Sequence, residues 1–199
     1  VEKLGEVLTP FLLSRFSAVW IHGGLAGVPL TEEEMTNLDA FLSRGGTVFV
    51  DTQAWTWTAY GSDFYIKDRT IENFPLNVFI GKYGFSIRED YFIDDVRGML
   101  FSQDTGTLSE HQVFEGVEVV RVAPVLSTVA ADNEASWLIR GSDTSKSTQL
   151  PVGSRPIILA YKPVGEGKLV VGGGISNALN DNVDREAGAT DPVLLESDN

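Results

Sequence analysis

The sequence predicts an α/β domain built on a mostly parallel sheet flanked by helices. Two observations carry that prediction. Between residues 17 and 50 the chain runs strand, loop, helix, strand, and both strands are short, apolar and without alternation. Strands buried on both faces read this way, and parallel neighbours need a right-handed crossover, normally through a helix. The second observation is a strand-rich second half. It closes on residues 157–161, a Gly165-Glu166-Gly167 turn and residues 169–171, the pattern of a late β-hairpin.

Residues 2–15 place Leu4, Val7, Leu8, Phe11 and Leu12 at the spacing of one helix face. Pro10 interrupts that helix or, with Thr9 as N-cap, restarts it. Residues 17–22 form a buried strand closed by Gly23-Gly24. Thr31-Glu32-Glu33-Glu34 is a capping box with three carboxylates at the positive end of the helix dipole. Met35, Leu38, Phe41 and Leu42 supply its apolar stripe, and Gly45-Gly46 the stop. Thr47-Val48-Phe49-Val50 is the next strand and ends at Asp51.

Residues 51–68 are aromatic and irregular, with Trp55, Trp57, Tyr60, Phe64 and Tyr65. Residues 76–82 read as a short helix, 91–93 as a short strand and 98–108 as a loop. Strands are expected at 117–122, 123–129, 136–140, 156–161 and 169–171, with a Ser/Thr-rich polar loop at 141–151. A short helix starts at residues 176–179. Residues 1–180 thus form one domain, and the acidic, weakly periodic segment 181–199 reads as a linker or docked extension.

Composition excludes several functions. Lys plus Arg is 15 against 28 Asp plus Glu, a net charge of −13 that repels nucleic-acid phosphate and anionic membrane surfaces. The 199 residues contain no cysteine, so disulfides, thiolate metal sites and a cysteine nucleophile are absent. No run of 18 apolar residues offers a membrane-spanning helix. The opening Val1 follows no signal-peptide pattern and reads as a processed or excised chain.

In open parallel sheets, ligands bind beyond the carboxyl ends of the strands. Three loops should meet there: His22-Gly23-Gly24, Asp51-Thr52-Gln53 and Gly172-Gly173-Gly174-Ile175-Ser176-Asn177. Glycines let backbone N–H groups approach a ligand, and a helix start at Ser176 offers donors to an anion. A His22–Asp51 pair could orient an imidazole for acid–base work, with Ser176 or Thr52 as nucleophile. No Gly-x-Ser-x-Gly elbow supports either nucleophile, and plain hydrogen bonding to neighbouring loops is the competing reading. Trp55 and Trp57, two apart in an extended segment, would present one aromatic face to a sugar or a partner; packing over the sheet edge is the alternative. The ligand-binding candidates are therefore His22, Gly23, Asp51, Gln53, Trp55, Trp57, Ser176 and Asn177. Glu89-Asp90 with Asp94-Asp95, and Asp181 with Asp184, lack the spaced loop of a calcium site and read as solvated turns and caps. The glycine run lacks a P-loop lysine, so no nucleotide or other cofactor is expected.

Several stretches resemble a known family. The unit Phe41-Leu42-Ser43-Arg44-Gly45-Gly46-Thr47-Val48-Phe49-Val50 is similar to the helix–GG–strand unit of class I glutamine-amidotransferase-like domains. Gln53-Ala54-Trp55-Thr56-Trp57, Asn73-Phe74-Pro75-Leu76-Asn77 and Tyr83-Gly84-Phe85-Ser86-Ile87 resemble the type that accompanies enhancin-like, mucin-degrading metallopeptidases and transient-receptor-potential-channel-associated factors. His111-Gln112-Val113-Phe114-Glu115-Gly116-Val117 and Gly165-Glu166-Gly167-Lys168-Leu169-Val170-Val171 resemble late segments of the same domains, so the likeness spans residues 17–179. It implies a flavodoxin-like fold and, because the family's cysteine is missing here, a domain without that catalysis. His22 and His111 cannot form the His-Glu-x-x-His zinc helix of the peptidases. The family's first strand has no counterpart before the opening helix, which fits a piece of a longer protein. The resemblance implies an interaction or scaffold module, secreted or on the cell surface, with a protein partner or neighbouring domains. Its rivals are a carbohydrate-binding module and a cryptic hydrolase on the strand crest. Absence of cysteine fits many surface proteins and does not exclude the cytosol.

Overall fold

The computed structural model of the chain describes residues 7–23, 30–59, 69–122 and 126–175. A single turn, α1 (Pro10–Leu13), opens the described chain. Thr9 caps it, its hydroxyl accepting from the Leu12 N–H at 3.2 Å, and Pro10 occupies the first turn, where a missing N–H costs nothing. Strand β1 (Ala18–Gly23) follows, then helix α2 (Glu32–Ser43) and strand β2 (Thr47–Thr52), which lies parallel to β1.

Helix α2 starts on the expected capping box. The Glu34 N–H donates to Thr31 Oγ1 at 3.1 Å, and the Thr31 N–H donates to Glu34 Oε2 at 3.0 Å. Glu34 Oε1 also accepts from the Leu8 N–H at 3.1 Å, so the same carboxylate ties down the segment before α1. These hydrogen bonds, that of the Thr31 backbone first, hold the Glu34 carboxyl below its usual range. Replacing Thr31 with Ala should cost about 1 kcal/mol, read as a lower urea midpoint with unchanged slope.

Beyond β2 come α3 (Trp55–Ala59), a 3-10 turn at Ile71–Asn73, and α4 (Pro75–Gly81). The remaining strands are β3 (Phe85–Ile87), β4 (Phe92–Ile93), β5 (Leu100–Ser102), β6 (Val119–Arg121), β7 (Val129–Ala131), β8 (Ser136–Arg140), β9 (Lys146–Ser147), β10 (Ile157–Val164) and β11 (Gly167–Gly172). Seven of the eleven described strands form one sheet, ordered β1-β2-β11-β10-β7-β3 with β8 branching from β10. It is parallel through β1, β2 and β11 and antiparallel from β10 onward. Two small pairs, β4 with β9 and β5 with β6, complete the described strands. The expected hairpin is β10–β11. Its turn tucks under the end of α2: a Cβ on Gly167 would lie 2.2 Å from the Gly46 carbonyl oxygen and 2.4 Å from that of Leu42.

Several segments differ from expectation. β5 lies inside the segment read as a loop, and β9 inside the polar stretch 141–151. Of the strand expected at 123–129, residues 123–125 lie outside the described residues, 126–128 are not strand, and β7 starts at Val129. β3 falls at residues 85–87, where no strand is expected. The segment with Trp55 and Trp57 is helical rather than extended.

The central strands bury both faces. Val48 and Val50 of β2, with Leu169 and Val171 of β11, face Leu38, Phe41 and Leu42 of α2 and Phe79 and Ile80 of α4. Phe49 and Val170 turn the other way, toward a second core that includes Phe92, Phe101, Leu138, Ile139 and Ile158. At the outer side of that second face Trp20 remains 48% exposed and stacks on Phe49, ring centroids 5.0 Å apart. Among the described residues no helix is long and apolar enough to cross a membrane.

Candidate functional site

The carboxyl ends of β1, β2 and β11 do converge, and the polar groups there serve one another. Asp51 is fully buried. Its Oδ1 accepts from the Gly174 N–H at 2.7 Å and the Ile175 N–H at 2.9 Å. The glycine loop therefore presents its amides to a carboxylate of the protein itself, the way such nests hold an anion. His22 is exposed, and its Nδ1 lies 3.1 Å from the Asp51 backbone carbonyl oxygen. That partner only accepts, so Nδ1 carries the proton in this contact. The imidazole thus addresses the main chain of Asp51, while the carboxylate addresses the loop after β11.

Close packing explains the glycine run. A Cβ on Gly172 would meet Asp51 Oδ1 at 2.5 Å, one on Gly174 the Gln53 Cγ at 2.4 Å, and one on Gly173 the Ser127 carbonyl oxygen at 1.9 Å. Thr52 is buried and Gln53 half-buried beside this run, and Gly23 ends β1. Ser176 and Asn177 lie outside the described residues, as do Asp181 and Asp184.

A second layer of the crest carries no periodic signal in the sequence. Buried Ser127 donates its N–H to the Gly173 carbonyl oxygen at 2.8 Å, and its hydroxyl accepts from the Ala54 N–H at 3.0 Å. Thr128 gives both its N–H, at 2.7 Å, and its hydroxyl, at 2.6 Å, to the Asp90 carboxylate. Their partners lie at least 37 residues away along the chain, beyond any local pattern. Asp90 and Asp94 correct the expectation of solvated turns, because both are buried acceptors. Asp94 takes hydrogen bonds from the hydroxyls of Ser142, Thr144 and Ser145 and from the N–H groups of Val96 and Arg97. Burial pushes its carboxyl up, but these donors together outweigh burial and bring it down to about 2. No group of His, Asp or Glu among the described residues is arranged to hold a metal ion.

The two tryptophans do not share a face. Residues two apart on a helix diverge, so the helical α3 separates what an extended segment would align. Trp57 is buried; its indole N–H is 3.1 Å from both the Thr70 carbonyl oxygen and Asn73 Oδ1, and Arg69 covers the ring at 4.0 Å. Trp55 is half-buried and packs against Tyr91 with centroids 5.0 Å apart.

The fold recurs in a solved structure. The chain shares its fold with the mmIFT52 N-terminal domain. The TM-score is 0.60 at 18% sequence identity, and the likeness covers 96% of this chain and 85% of that one. More distant are the cytoplasmic protein STM1381 from Salmonella typhimurium LT2, at 11% identity over 84% of this chain and 64% of that one with a TM-score of 0.49, and the beta-galactosidase from Bacillus circulans sp. alkalophilus. The latter is 14% identical with a TM-score of 0.48, over 88% of this chain and only 23% of that one. No protein-family model matches the sequence, and no curated protein does.

Proposed function

We propose that this chain is a non-catalytic, amidotransferase-like domain of flavodoxin-like topology. It serves as an interaction or scaffold module of a larger secreted or surface protein. The observation that supports this most is the engaged carboxylate at the crest: Asp51 Oδ1 accepts from the Gly174 and Ile175 amides, at the strand ends where an enzyme of this layout would receive its substrate. A sequence without cysteine agrees. The mmIFT52 domain is likewise described as the N-terminal part of something longer, which fits a modular role. The carbohydrate reading loses its paired platform, since Trp57 lies in the core.

The test is direct. Purified protein is offered glutamine, nitrophenyl esters and nitrophenyl glycosides, alongside the variants His22→Ala and Asp51→Asn. No turnover above buffer is expected for any of the three proteins. Hydrolysis that either substitution abolishes would overturn the proposal. A glycan array read with wild type and Trp55→Ala separates the carbohydrate alternative, which requires binding that the substitution removes.

A further inference from the structure

Far along the chain from the crest residues of β1 and β2, two arginines meet on one carbonyl. Arg140, at the end of β8, donates from Nε to the Gly106 carbonyl oxygen at 3.3 Å. Arg155 donates to the same oxygen from Nη2 at 2.9 Å, and from Nε to the Gly141 carbonyl oxygen at 3.5 Å. A guanidinium has five N–H donors. Both Nη atoms of Arg140, and Nη1 of Arg155, make no hydrogen bond among the described residues. None of these three atoms is a fully buried donor without a partner among the described residues.

The arrangement is costly in three ways. Two like charges are brought together within reach of one acceptor. Burial, and then the charge of Arg155, lower the proton affinity of Arg140. Arg155 sits at φ 49°, in the left-handed region that side-chain-bearing residues avoid, and it is the one non-glycine residue to do so among those described. The Arg140 guanidinium carbon also lies over the Trp137 ring, 3.9 Å from its centroid, a cation–π contact that helps hold the group in place. In a chain of net charge −13, carboxylates are abundant, yet among the described residues only the exposed Asp143 approaches, its Oδ1 3.4 Å from Arg155 Nε. Asp143 shows that a carboxylate can reach the pair, and its exposure makes it a weak occupant.

We propose that Arg140 and Arg155 form a binding site for a small oxyanion, a carboxylate or phosphate group, that bridges the two guanidiniums in place of Asp143. Pre-oriented guanidinium forks are the chemistry that recognises such groups bidentately. The proposal is independent of the crest and of the non-catalytic reading.

The experiment titrates the full chain with inorganic phosphate in one arm and acetate in another, at constant ionic strength, following the arginine Nε–H resonances by NMR. Saturable shifts of Arg140 and Arg155, with Arg44 unmoved, are expected. Phosphate alone saturating identifies a phosphoryl ligand; acetate saturating as well identifies a carboxylate. Arg140→Gln should weaken binding by about tenfold or more, and Asp143→Asn should tighten it by roughly two- to threefold by removing the competitor. Arg155→Gly is the decisive variant, because glycine accepts the backbone conformation and keeps the turn while the second fork is lost. Linear shifts in both arms, or wild-type binding by Arg155→Gly, would overturn the site.

Discussion

Gly173→Ala is expected to destabilise the protein by about 3 kcal/mol or more, enough to lose the folded state at moderate temperature. The added methyl would lie 1.9 Å from the Ser127 carbonyl oxygen. Neither side can retreat. The Ser127 N–H is bonded to the Gly173 carbonyl oxygen at 2.8 Å, and the Gly173 N–H to the Ile158 carbonyl oxygen at 3.0 Å. The obstacle is backbone against backbone, unlike a long side chain that can swing aside. Gly81→Ala is the matched control. It ends α4, and a Cβ there meets nothing within 4 Å, so the change should be neutral or stabilising by up to about 1 kcal/mol. Urea unfolding of the two variants beside wild type checks both, and equal midpoints would contradict the packing account.

The second large effect is centred on Asp94. Asp94→Ala removes one carboxylate and strands the hydroxyls of Ser142 and Ser145, which lie in buried surroundings. A cost of about 3 kcal/mol follows from losing charged hydrogen bonds and leaving buried donors unmet. The same group makes stability depend on pH. Its folded-state value, about 2, is below the ordinary 3.8, so the folded protein prefers the ionised form. Its contribution is fully present above pH ~4 and is lost as the pH falls through about 2. The shift corresponds to about 2 kcal/mol. Urea midpoints collected between pH 5 and pH 2 should fall more steeply for wild type than for Asp94→Asn. Parallel curves would mean that Asp94 titrates alike in folded and unfolded chains.

Much of the helical half was legible because its signals are local. Thr31 and Glu34 are three residues apart, and both halves of their capping box form. Gly165-Glu166-Gly167 lies between two apolar runs, and the hairpin forms there. The spacing of Trp55 and Trp57 suits an extended chain as well as a helix, and α3 is accompanied by indole contacts to Thr70 and Asn73 that lie far along the sequence. β9 was hidden for a related reason. Its two residues sit in a polar stretch, and Ser147 is buried only because the chain folds back onto β4. At the crest, the positions of His22, Asp51 and the glycine run followed from strand order. That the carboxylate of Asp51 turns to Gly174 and Ile175 instead of His22 is a property of the assembled loops. Ser127 and Thr128 carry no local signal, and Asp90 reads as a solvated turn because the partner that makes it interior, Thr128, lies 38 residues away.

The position of β11 has a consequence for how the chain is made. It lies between β2 and β10, joining the parallel half of the sheet to the antiparallel half, and it is the last described strand to leave a ribosome. Synthesis of the residues separating β2 from β11 takes on the order of ten seconds. During that interval the inner edge of β2 has no strand beside it, and an open edge recruits strands from other chains. A nascent chain halted before Gly167 carries two half-sheets with no bridge, and a ribosomal pause in the 141–151 stretch prolongs that exposure. The step that joins the two half-sheets thus comes late in synthesis, well after the best-formed helix has emerged.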